Sequence, residues 1–433
     1  MSTGVPSTKW NGNGSLCQTK SQNTSLEVSL HYEGKRDEKE ILATRPAEIR
    51  SIWTGEDPQN ILYYGDNFYI LPLLLQDQSL HGKVRLIYID PPFATGSVYQ
   101  SRSQKDAYQD LLAGAHYIEF LRERLIFLRE LLADDGSIYV HLDEHMAFHI
   151  KVIMDEIFGR ANFRNWITRK KCNPKNYTRR TYGNISDYIL FYTKSNNYVW
   201  NRPLQAWTEE AARKEYQYVE EGTGRRYKKV PLHAPGVRNG ETGKPWRGML
   251  PPPGKHWQFT PQTLDEMDAR GEIYWSPNGN PRRKIYLDES EGVPVQDIWL
   301  DFKDAHNQNI KITGYPTEKN PDLLTLIIRA SSNEGDIVLD CFSGSGTTLE
   351  VASQLGRQWI GIDNSPEAIR TTLYRFAHGT EPMGDFVGTR NLKRRTKQQT
   401  LHLFRITNFA LYAAEPYMGE IDQIVTEWEQ WIK

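Results

Sequence analysis

Short apolar runs typical of buried strands alternate in this chain with longer runs of helical periodicity. Val84–Ile89 has the pattern of a strand buried on both faces, Ala107–Leu132 that of an amphipathic helix, and Ser137–Leu142 that of a further strand. The alternation resumes with a predicted helix from Pro321 to Ala330 and continues to Ile362. Strands that are joined by helical crossovers lie parallel in one sheet. The pattern therefore predicts the α/β class, with a doubly wound, mostly parallel sheet.

Length and composition limit the kinds of protein that this chain can be. A chain of 433 residues is too long for one small core, which predicts two units with tails. No apolar run approaches the roughly 20 residues that a membrane helix needs. The N-terminus lacks the layout of a signal peptide, so we expect a cytoplasmic protein with no membrane partner. The three cysteines lie far apart and no histidine cluster completes a ligand set, so no metal site is expected.

A glycine turn follows the strand pattern that ends at Asp340. Within Phe342–Thr347, Gly344 and Gly346 allow a close backbone approach, and the helix that starts there presents free N–H groups. The turn lacks the lysine of a phosphate-binding loop and the third glycine of a dinucleotide fingerprint. Asp363 ends the next strand pattern 23 residues after Asp340, near the roughly 20-residue offset at which an acidic residue reaches a ribose diol. The ligand is therefore expected to be an adenosine carrier without a pyrophosphate, and S-adenosylmethionine fits.

The tetrapeptide Asp90-Pro91-Pro92-Phe93 ends the first buried strand, at the place where ligands bind in open α/β sheets. The Asp90 carboxylate and the Pro91 carbonyl can each accept one N–H of an exocyclic amine, and Phe93 offers a face for stacking. Such an amine is a poor nucleophile because it is conjugated into its ring, and holding both N–H groups directs its lone pair toward a methyl donor. A base inside a duplex must be flipped out to reach this site, at a cost of roughly a few kcal/mol.

Together these segments resemble the site-specific DNA amino-methyltransferases of the β order, in which the catalytic half precedes the recognition domain and the cofactor half comes last. The resemblance is greatest to adenine-N6 enzymes similar to type III restriction-modification modification subunits. It covers residues 55–195 and 295–380. Two mild departures are Cys341, where proline is usual, and Asn320, which separates Lys319 from Pro321. Further matching segments are Gly65-Asp66-Asn67, Asp134-Asp135-Gly136-Ser137-Ile138, Asp297-Ile298-Trp299 and Thr317-Glu318-Lys319.

The resemblance implies a Rossmann-like fold that uses S-adenosylmethionine to methylate the N6 amine of a flipped-out adenine in double-stranded DNA. It assigns Asp90, Pro91, Pro92 and Phe93 to the target base and Asp340 to the methionine ammonium. It also implies a restriction-modification system, with a cognate restriction endonuclease and a homodimer as candidate partners. The residues that it places around the cofactor are Asp340, Phe342, Gly344, Gly346, Thr347, Asp363 and Lys319.

Other reactions stay open. The leading Asp90 favours adenine by family analogy, since cytosine-N4 enzymes more often carry serine there. Cytosine-N4 transfer is therefore the first alternative, and a DNA-binding module that has lost catalysis is a more distant one. Enzymes that methylate glutamine amides have a similar site but usually lead with asparagine.

The resemblance and the pattern divide the chain into five parts. We expect a disordered arm at residues 1–45, the catalytic half of the methyltransferase domain at 46–195, and an inserted, loop-rich target-recognition domain at 196–290. The cofactor-binding half follows at 291–385 and a C-terminal tail at 386–433.

Basic residues are clustered although the net charge is only −1. The distribution of charge decides nucleic-acid binding more than the net charge does. Several clusters of basic residues stand out, and the second and third lie at residues 225–229 and 282–284. The first cluster is the candidate for DNA phosphate contacts, with a solvated charged loop as the alternative, and it consists of Arg169, Lys170, Lys171, Lys175, Arg179 and Arg180.

Overall fold

The computed structural model describes residues 28–92, 98–100, 106–109, 114–174, 180–304, 311–312, 318–379, 381–382 and 405–433. Phe93, Lys175 and Arg179, which the sequence analysis names as site residues, lie outside these ranges.

The helices begin at residues that satisfy free backbone N–H groups. The side chains of Asp66 and Asn320, for example, accept hydrogen bonds from the N–H groups two residues later. The α-helices in the described ranges are α1 Glu38–Leu42, α2 Asn67–Gln76, α3 Ala115–Leu131, α4 Ala147–Phe158, α5 Glu209–Glu215, α6 Pro261–Ala269, α7 Pro321–Ser331, α8 Thr347–Gln354, α9 Pro366–His378 and α10 Met418–Ile432.

The strands are numbered in the same way. In the first half they are β1 Ile49–Thr54, β2 Asn60–Tyr64, β3 Val84–Ile89, β4 Val98–Gln100, β5 Asp106–Gln109, β6 Leu132–Leu142, β7 Phe163–Lys170, β8 Ser186–Thr193, β9 Leu204–Gln205, β10 Tyr218–Val219 and β11 Arg226–Pro231. In the second half they are β12 His233–Pro235, β13 Lys255–Trp257, β14 Ile273–Trp275, β15 Pro281–Tyr286, β16 Val293–Pro294, β17 Ile298–Trp299, β18 Lys311–Ile312, β19 Ile337–Asp340, β20 Gln358–Asp363, β21 Glu381–Pro382 and β22 Phe409–Ala414.

A ten-stranded sheet organises the molecule, with the strand order β1-β22-β2-β20-β19-β3-β6-β8-β7-β17. The strands from β22 to β6 run parallel to one another, whereas β1 and β8 are antiparallel to their neighbours. This confirms the predicted doubly wound, mostly parallel α/β fold.

Both faces of the sheet are covered, which explains why its central strands read as continuous apolar runs. Alternate residues of β3 point to opposite sides: Ile87 and Ile89 join the core that contains α2, α3 and α4, while Leu86 and Tyr88 join the core that contains α7, α8, α9 and α10. The result is a layer of helices on each face of one sheet.

The chain winds in opposite directions from the two central strands. From β3 it continues to β6 on one side, and from β19 it continues to β20 on the other. The crevice outside the carboxyl ends of strands at such a reversal is the usual ligand site of open α/β sheets. The fold therefore places Asp90 and Asp340 beside each other at that crevice.

The two chain ends differ from the sequence expectation. Residues 28–45, assigned above to a disordered arm, contain α1 and pack on α4, where the amide of Leu30 and the ammonium of Lys35 both contact Glu156. The described part of the supposed C-terminal tail, 405–433, supplies the inner strand β22, between β1 and β2, and the helix α10. Both are ordered because they bury apolar or paired polar groups that local composition does not reveal.

Between β8 and β17 the chain forms smaller sheets. Strands β10, β11, β15 and β14 make a four-stranded antiparallel sheet, and a separate apolar cluster around Trp246, Trp257 and Leu264 packs beside α6. Two of the tryptophans in this segment thus lie in a core. Within the described ranges, no helix is both long and apolar enough to cross a membrane.

Candidate active site

Three carboxylates meet at the carboxyl edge of the central strands. Asp90 follows β3, Asp340 ends β19, and Asp363 ends β20, and these strands are consecutive neighbours in the sheet. Their charges interact, since both Asp90 and Asp363 raise the pKa of Asp340. Such a group of acidic side chains favours a ligand that carries positive charge.

The two oxygens of the Asp90 carboxylate differ in their hydrogen-bond partners. The Lys319 ammonium lies 2.5 Å from Oδ2 of Asp90. Oδ1 of Asp90 is buried and accepts no hydrogen bond from the residues that the structure describes. A buried acceptor without a donor is costly, so the position favours a ligand N–H. Lys319 was assigned to the cofactor by resemblance, and the structure instead brings its ammonium to the carboxylate assigned to the target base.

Asp340 is almost fully buried under the glycine turn. Its carboxylate accepts hydrogen bonds from the backbone N–H of Phe342, at 3.0 Å, and from the hydroxyl of Thr348, at 2.6 Å. Burial raises the pKa of Asp340 to about 7, although these two hydrogen bonds oppose the rise. The carboxyl therefore changes charge near neutral pH.

Asp363 shapes the turn as well as the site. Its carboxylate accepts hydrogen bonds from the N–H groups of Gly344, at 2.8 Å, and Ser365, at 2.9 Å. Burial raises its pKa to about 6, against the effect of these backbone hydrogen bonds. A carboxylate has about four lone-pair positions, so acceptor capacity remains for a ligand such as a ribose diol.

Gly344 and Gly346 give the turn its left-handed backbone conformation. Gly346 has a φ of +73° and stands just before α8, and a Cβ there would lie 2.8 Å from the side chain of Thr372 on α9. Gly344 has a φ of +49°. Both positions thus require the left-handed backbone, and at Gly346 helix packing excludes any side chain. Phe342 is half-buried beside Phe120, while Thr347 is buried and contacts the Ser345 hydroxyl.

The predicted DNA-contact cluster is only partly exposed. Arg169 is fully buried and pairs with Asp187 and Asp304, so the prediction that it contacts DNA phosphates is wrong. Lys170 and Lys171 are half-buried and Arg180 is exposed. These three residues stay candidates.

A second basic surface arises where two distant clusters pair. Strands β11 and β15 align Lys229 with Lys284, and β14 and β15 align Tyr274 with Arg282. The Lys229 ammonium lies 3.6 Å from the ring centre of Tyr218 and 3.4 Å from that of Tyr274. Tyr218 and Arg282 are exposed. We call Tyr218, Lys229, Tyr274 and Arg282 the basic sheet face.

Several polar residues behind Asp90 are absent from the sequence assignment. His141 is fully buried within reach of Tyr88, Asp187 and Asp90. No sequence spacing signals these contacts, because they join different strands. Asp143, Glu144 and His145 also cluster, but the Asp143 carboxylate accepts hydrogen bonds from the backbone of His145 and thereby starts the turn before α4.

Comparison with known proteins agrees with this geometry. A DNA methylase family model covering N6 and N4 enzymes matches residues 84–373. The chain is 47% identical over 400 residues to the type II methyltransferase M.EcaI of Enterobacter cloacae, covering 90% of this chain and 87% of that protein. It is 26% identical to the type III restriction-modification enzyme StyLTI Mod subunit of Salmonella typhimurium, covering 74% of this chain and 54% of that protein, so it spans about half of that subunit.

A solved structure of the M1.HpyAVI–SAM complex aligns with a TM-score of 0.41 and 19% identity, covering 73% of this chain and 98% of that one. The family model and the relative from Enterobacter cloacae carry the conclusion, because the relative covers 90% of this chain and the model's match at residues 84–373 includes Asp90, Asp340 and Asp363. The resemblance inferred from the motifs is thereby confirmed. The chain belongs to the N6/N4 DNA methylase family and is a DNA methyltransferase.

Proposed function

We propose that this enzyme transfers a methyl group from S-adenosylmethionine to the N6 amine of an adenine flipped out of duplex DNA, within a restriction-modification system. The observation that carries the proposal is the buried Oδ1 of Asp90, which accepts no hydrogen bond from the described residues and lies beside the acidic edge formed by Asp340 and Asp363. An amine held at Asp90 would lie next to a cationic donor held at the other two carboxylates.

The cofactor would supply an electrophilic methyl group. For the amine, Oδ1 of Asp90 and the carbonyl of Pro91 would each accept one N–H, which leaves the nitrogen lone pair directed at that methyl group. Lys319 contacts Oδ2, so Oδ1 is the oxygen that is left for the amine. Phe93 is the proposed stacking surface for the flipped base, since it follows directly in the tetrapeptide.

The residues present suit the cofactor. Asp363 retains acceptor capacity for a ribose diol, and Asp340 offers a carboxylate that ionises near neutral pH beside a ligand that carries both an ammonium and a sulfonium group. Phe342, Gly344, Gly346 and Thr347 form the turn around which we propose that the nucleoside binds. Lys319 can face both ligands from its position before α7.

The choice of adenine over cytosine rests on Asp90 leading the tetrapeptide. Mass analysis of nucleosides from DNA methylated in vitro by the purified enzyme tests it. We expect N6-methyladenine, and N4-methylcytosine as the sole product would overturn the choice of base while leaving the site intact. A cognate restriction endonuclease and a homodimer are candidate partners of this function.

Cofactor affinity should depend on pH through Asp340. Because its pKa is raised to about 7, the carboxyl is neutral below that pH and attracts a cation less. We expect S-adenosylmethionine affinity to fall by up to about tenfold per pH unit below neutrality. Titration calorimetry between about pH 5.5 and 7 avoids ionisation of the ligand's own amino group.

The Asp340→Asn variant is the control for this titration. It should bind the cofactor weakly with a flatter pH profile, because the titrating carboxyl is gone. A flat profile for the natural protein would remove Asp340 from the ammonium site.

We further propose that residues 196–290 recognise DNA and that the basic sheet face contacts it. Its cationic and aromatic groups match a phosphate backbone. Lys229→Ala and Arg282→Ala should each weaken DNA binding and reduce the slope of log affinity against log salt by about 1. Fluorescence anisotropy over a salt series measures both.

Lys83→Ala is the matched control for these variants. Lys83 is an exposed lysine before β3, at the sheet edge opposite Asp90. Its loss should leave DNA affinity and the salt slope unchanged. Equal effects of all three substitutions would mean that the basic sheet face does not bind DNA specifically.

A further inference from the structure

A row of polar side chains lies buried behind Asp90, with one contributed by each of four neighbouring strands. Tyr88 comes from β3, His141 from β6, Asp187 from β8 and Arg169 from β7. Their exposed fractions are 1%, 0%, 3% and 0%, respectively. We call these four residues the buried polar row.

The members of the row contact one another in sequence. The Tyr88 hydroxyl lies 2.8 Å from Nδ1 of His141, and Nε2 of His141 lies 3.0 Å from Oδ2 of Asp187. Arg169 lies 3.6 Å from the same oxygen and pairs on its other side with Asp304. Burial alone would raise the pKa of Asp187, but His141, Arg169 and Lys319 lower it to about 2, so this end of the row is anionic.

The two ring nitrogens of His141 face different neighbours. Burial and the nearby Asp90 raise the pKa of Tyr88 well above its ordinary value, so its hydroxyl stays protonated and can donate to Nδ1 of His141. Nε2 of the same ring faces the Asp187 carboxylate. His141 therefore lies between Tyr88 and Asp187 within the row.

The far end of the row reaches the active site. Nδ1 of His141 lies 3.8 Å from Oδ1 of Asp90, the oxygen that accepts no hydrogen bond from the described residues. Tyr88 and Asp90 are two positions apart and thus on the same side of the extended chain. Lys319 contacts the other oxygen, Oδ2. The Asp90 carboxylate is thereby confined between an ammonium and an imidazole.

Core packing does not require polar side chains at these four positions. Buried charged and polar groups lose their hydration, and apolar residues of similar volume are often as stable or more so. The surrounding core provides apolar neighbours such as Leu86 and Ile189 on the same strands. A polar row that ends at a catalytic carboxylate instead resembles the outer-shell partners that orient ligating groups in enzyme sites.

We propose that His141, oriented by Asp187 and Tyr88, is a positioning residue that keeps Oδ1 of Asp90 directed toward the target amine. This inference rests on the proposed role of Asp90. Without the row, the carboxylate would be free to rotate about its Cβ–Cγ bond toward Lys319 and turn its second oxygen away from the amine. Methyl transfer would then slow while both ligands still bind.

Tyr88→Phe is the sharpest test, because it removes one hydroxyl and conserves volume. His141→Gln is the second variant, since its amide can keep the contact with Asp187 while losing the group at Nδ1. We expect each to lower the single-turnover rate of methyl transfer by about 10- to 100-fold. Affinities for S-adenosylmethionine and for duplex DNA should stay within about twofold of the natural values.

Tyr139→Phe is the matched control. Tyr139 is the cross-strand partner of Tyr88 and is equally buried, but its hydroxyl bonds to Ser331 of α7, at 2.7 Å, instead of to a member of the buried polar row. Its loss should affect the melting temperature about as much as Tyr88→Phe does, without the rate loss. A rate loss confined to the Tyr88 and His141 variants supports positioning.

Two outcomes would overturn the inference, and a third separates it from the proposed function. Normal single-turnover rates for Tyr88→Phe and His141→Gln would make the row merely structural, as would equal rate losses in Tyr139→Phe. If Asp90→Asn also methylates at the natural rate, the proposed function of Asp90 fails and the row has nothing to position. Loss of activity in Asp90→Asn with normal Tyr88→Phe refutes the positioning role alone.

Discussion

Replacement of Asp90 by alanine should abolish measurable methylation. The carboxylate is the proposed acceptor for the amine N–H, and loss of one such preorganised partner typically lowers a catalytic rate by about 10²- to 10³-fold. Alanine also leaves the Lys319 ammonium, 11% exposed, without the carboxylate with which it pairs. Single-turnover transfer of a labelled methyl group to duplex DNA measures the loss.

Cofactor binding should survive this substitution, because Asp340 and Asp363 remain. Asp57→Ala is the control: Asp57 is exposed between β1 and β2, away from the carboxyl edge that carries Asp90. It should methylate at the natural rate. Normal methylation by Asp90→Ala would contradict the mechanism, whereas loss of both binding and activity would point to a site that no longer folds.

Replacement of Trp428 by alanine should destabilise the whole fold. Trp428 on α10 is fully buried, and its ring centre lies 5.3 Å from that of Trp53 on β1 and 5.6 Å from that of Phe409 on β22. Large-to-small substitutions of this kind lower the free energy of unfolding by about 3–5 kcal/mol. Urea denaturation followed by tryptophan fluorescence and circular dichroism gives the value.

Two further variants separate the loss of the buried ring from a general effect of substitution in α10. Trp428→Phe should be much milder, because it keeps an aromatic ring and the indole N–H bonds to no acceptor among the described residues. Glu429→Ala, at an exposed neighbouring position, should change the unfolding free energy by less than about 0.5 kcal/mol. Equal stability of all three variants and the natural protein would show that α10 is not part of the core.

The parts of the fold that sequence predicts well have strong local signals. The strand at 84–89 matches β3, and the helix predicted from Pro321 to Ala330 matches α7 to within one residue. Apolar runs and capping residues such as Asn320 mark these elements, because burial on both faces and free helix N–H groups leave clear patterns. Asp90 and Asp340 could be placed together for the same reason.

The parts that were missed depend on partners far away in sequence. The run Phe409–Ala414 is short and gives no local sign that it pairs with β1 and β2, more than 340 residues earlier. The helix predicted from Ala107 begins instead at Ala115, after β5 and Gly114, whose φ is +57°. The helical periodicity of the sequence extends N-terminal to the true start of the helix. Periodicity alone does not reveal that residues 106–109 pair with β4 as a strand.

In the candidate site, too, local signals identify some residues, whereas contacts between distant parts of the chain are missed. Strand ends identify Asp90, Asp340 and Asp363, whereas the pairing of Lys319 with Asp90 joins residues that no spacing connects. Arg169 illustrates the opposite error, because a basic run in sequence includes a residue that faces the core. Charge clusters identify a surface only when the strand register is known.

The central claim is that one cleft brings the target amine to Asp90 and the methyl donor to Asp340 and Asp363. The structure of the enzyme with a non-transferable cofactor analogue and duplex DNA that carries its modification site tests this directly. We expect an extruded base whose exocyclic nitrogen lies within about 2.7–3.2 Å of Oδ1 of Asp90, with the analogue's ribose at Asp363. A target base that remains stacked in the duplex, or an analogue bound away from these two carboxylates, would contradict the account.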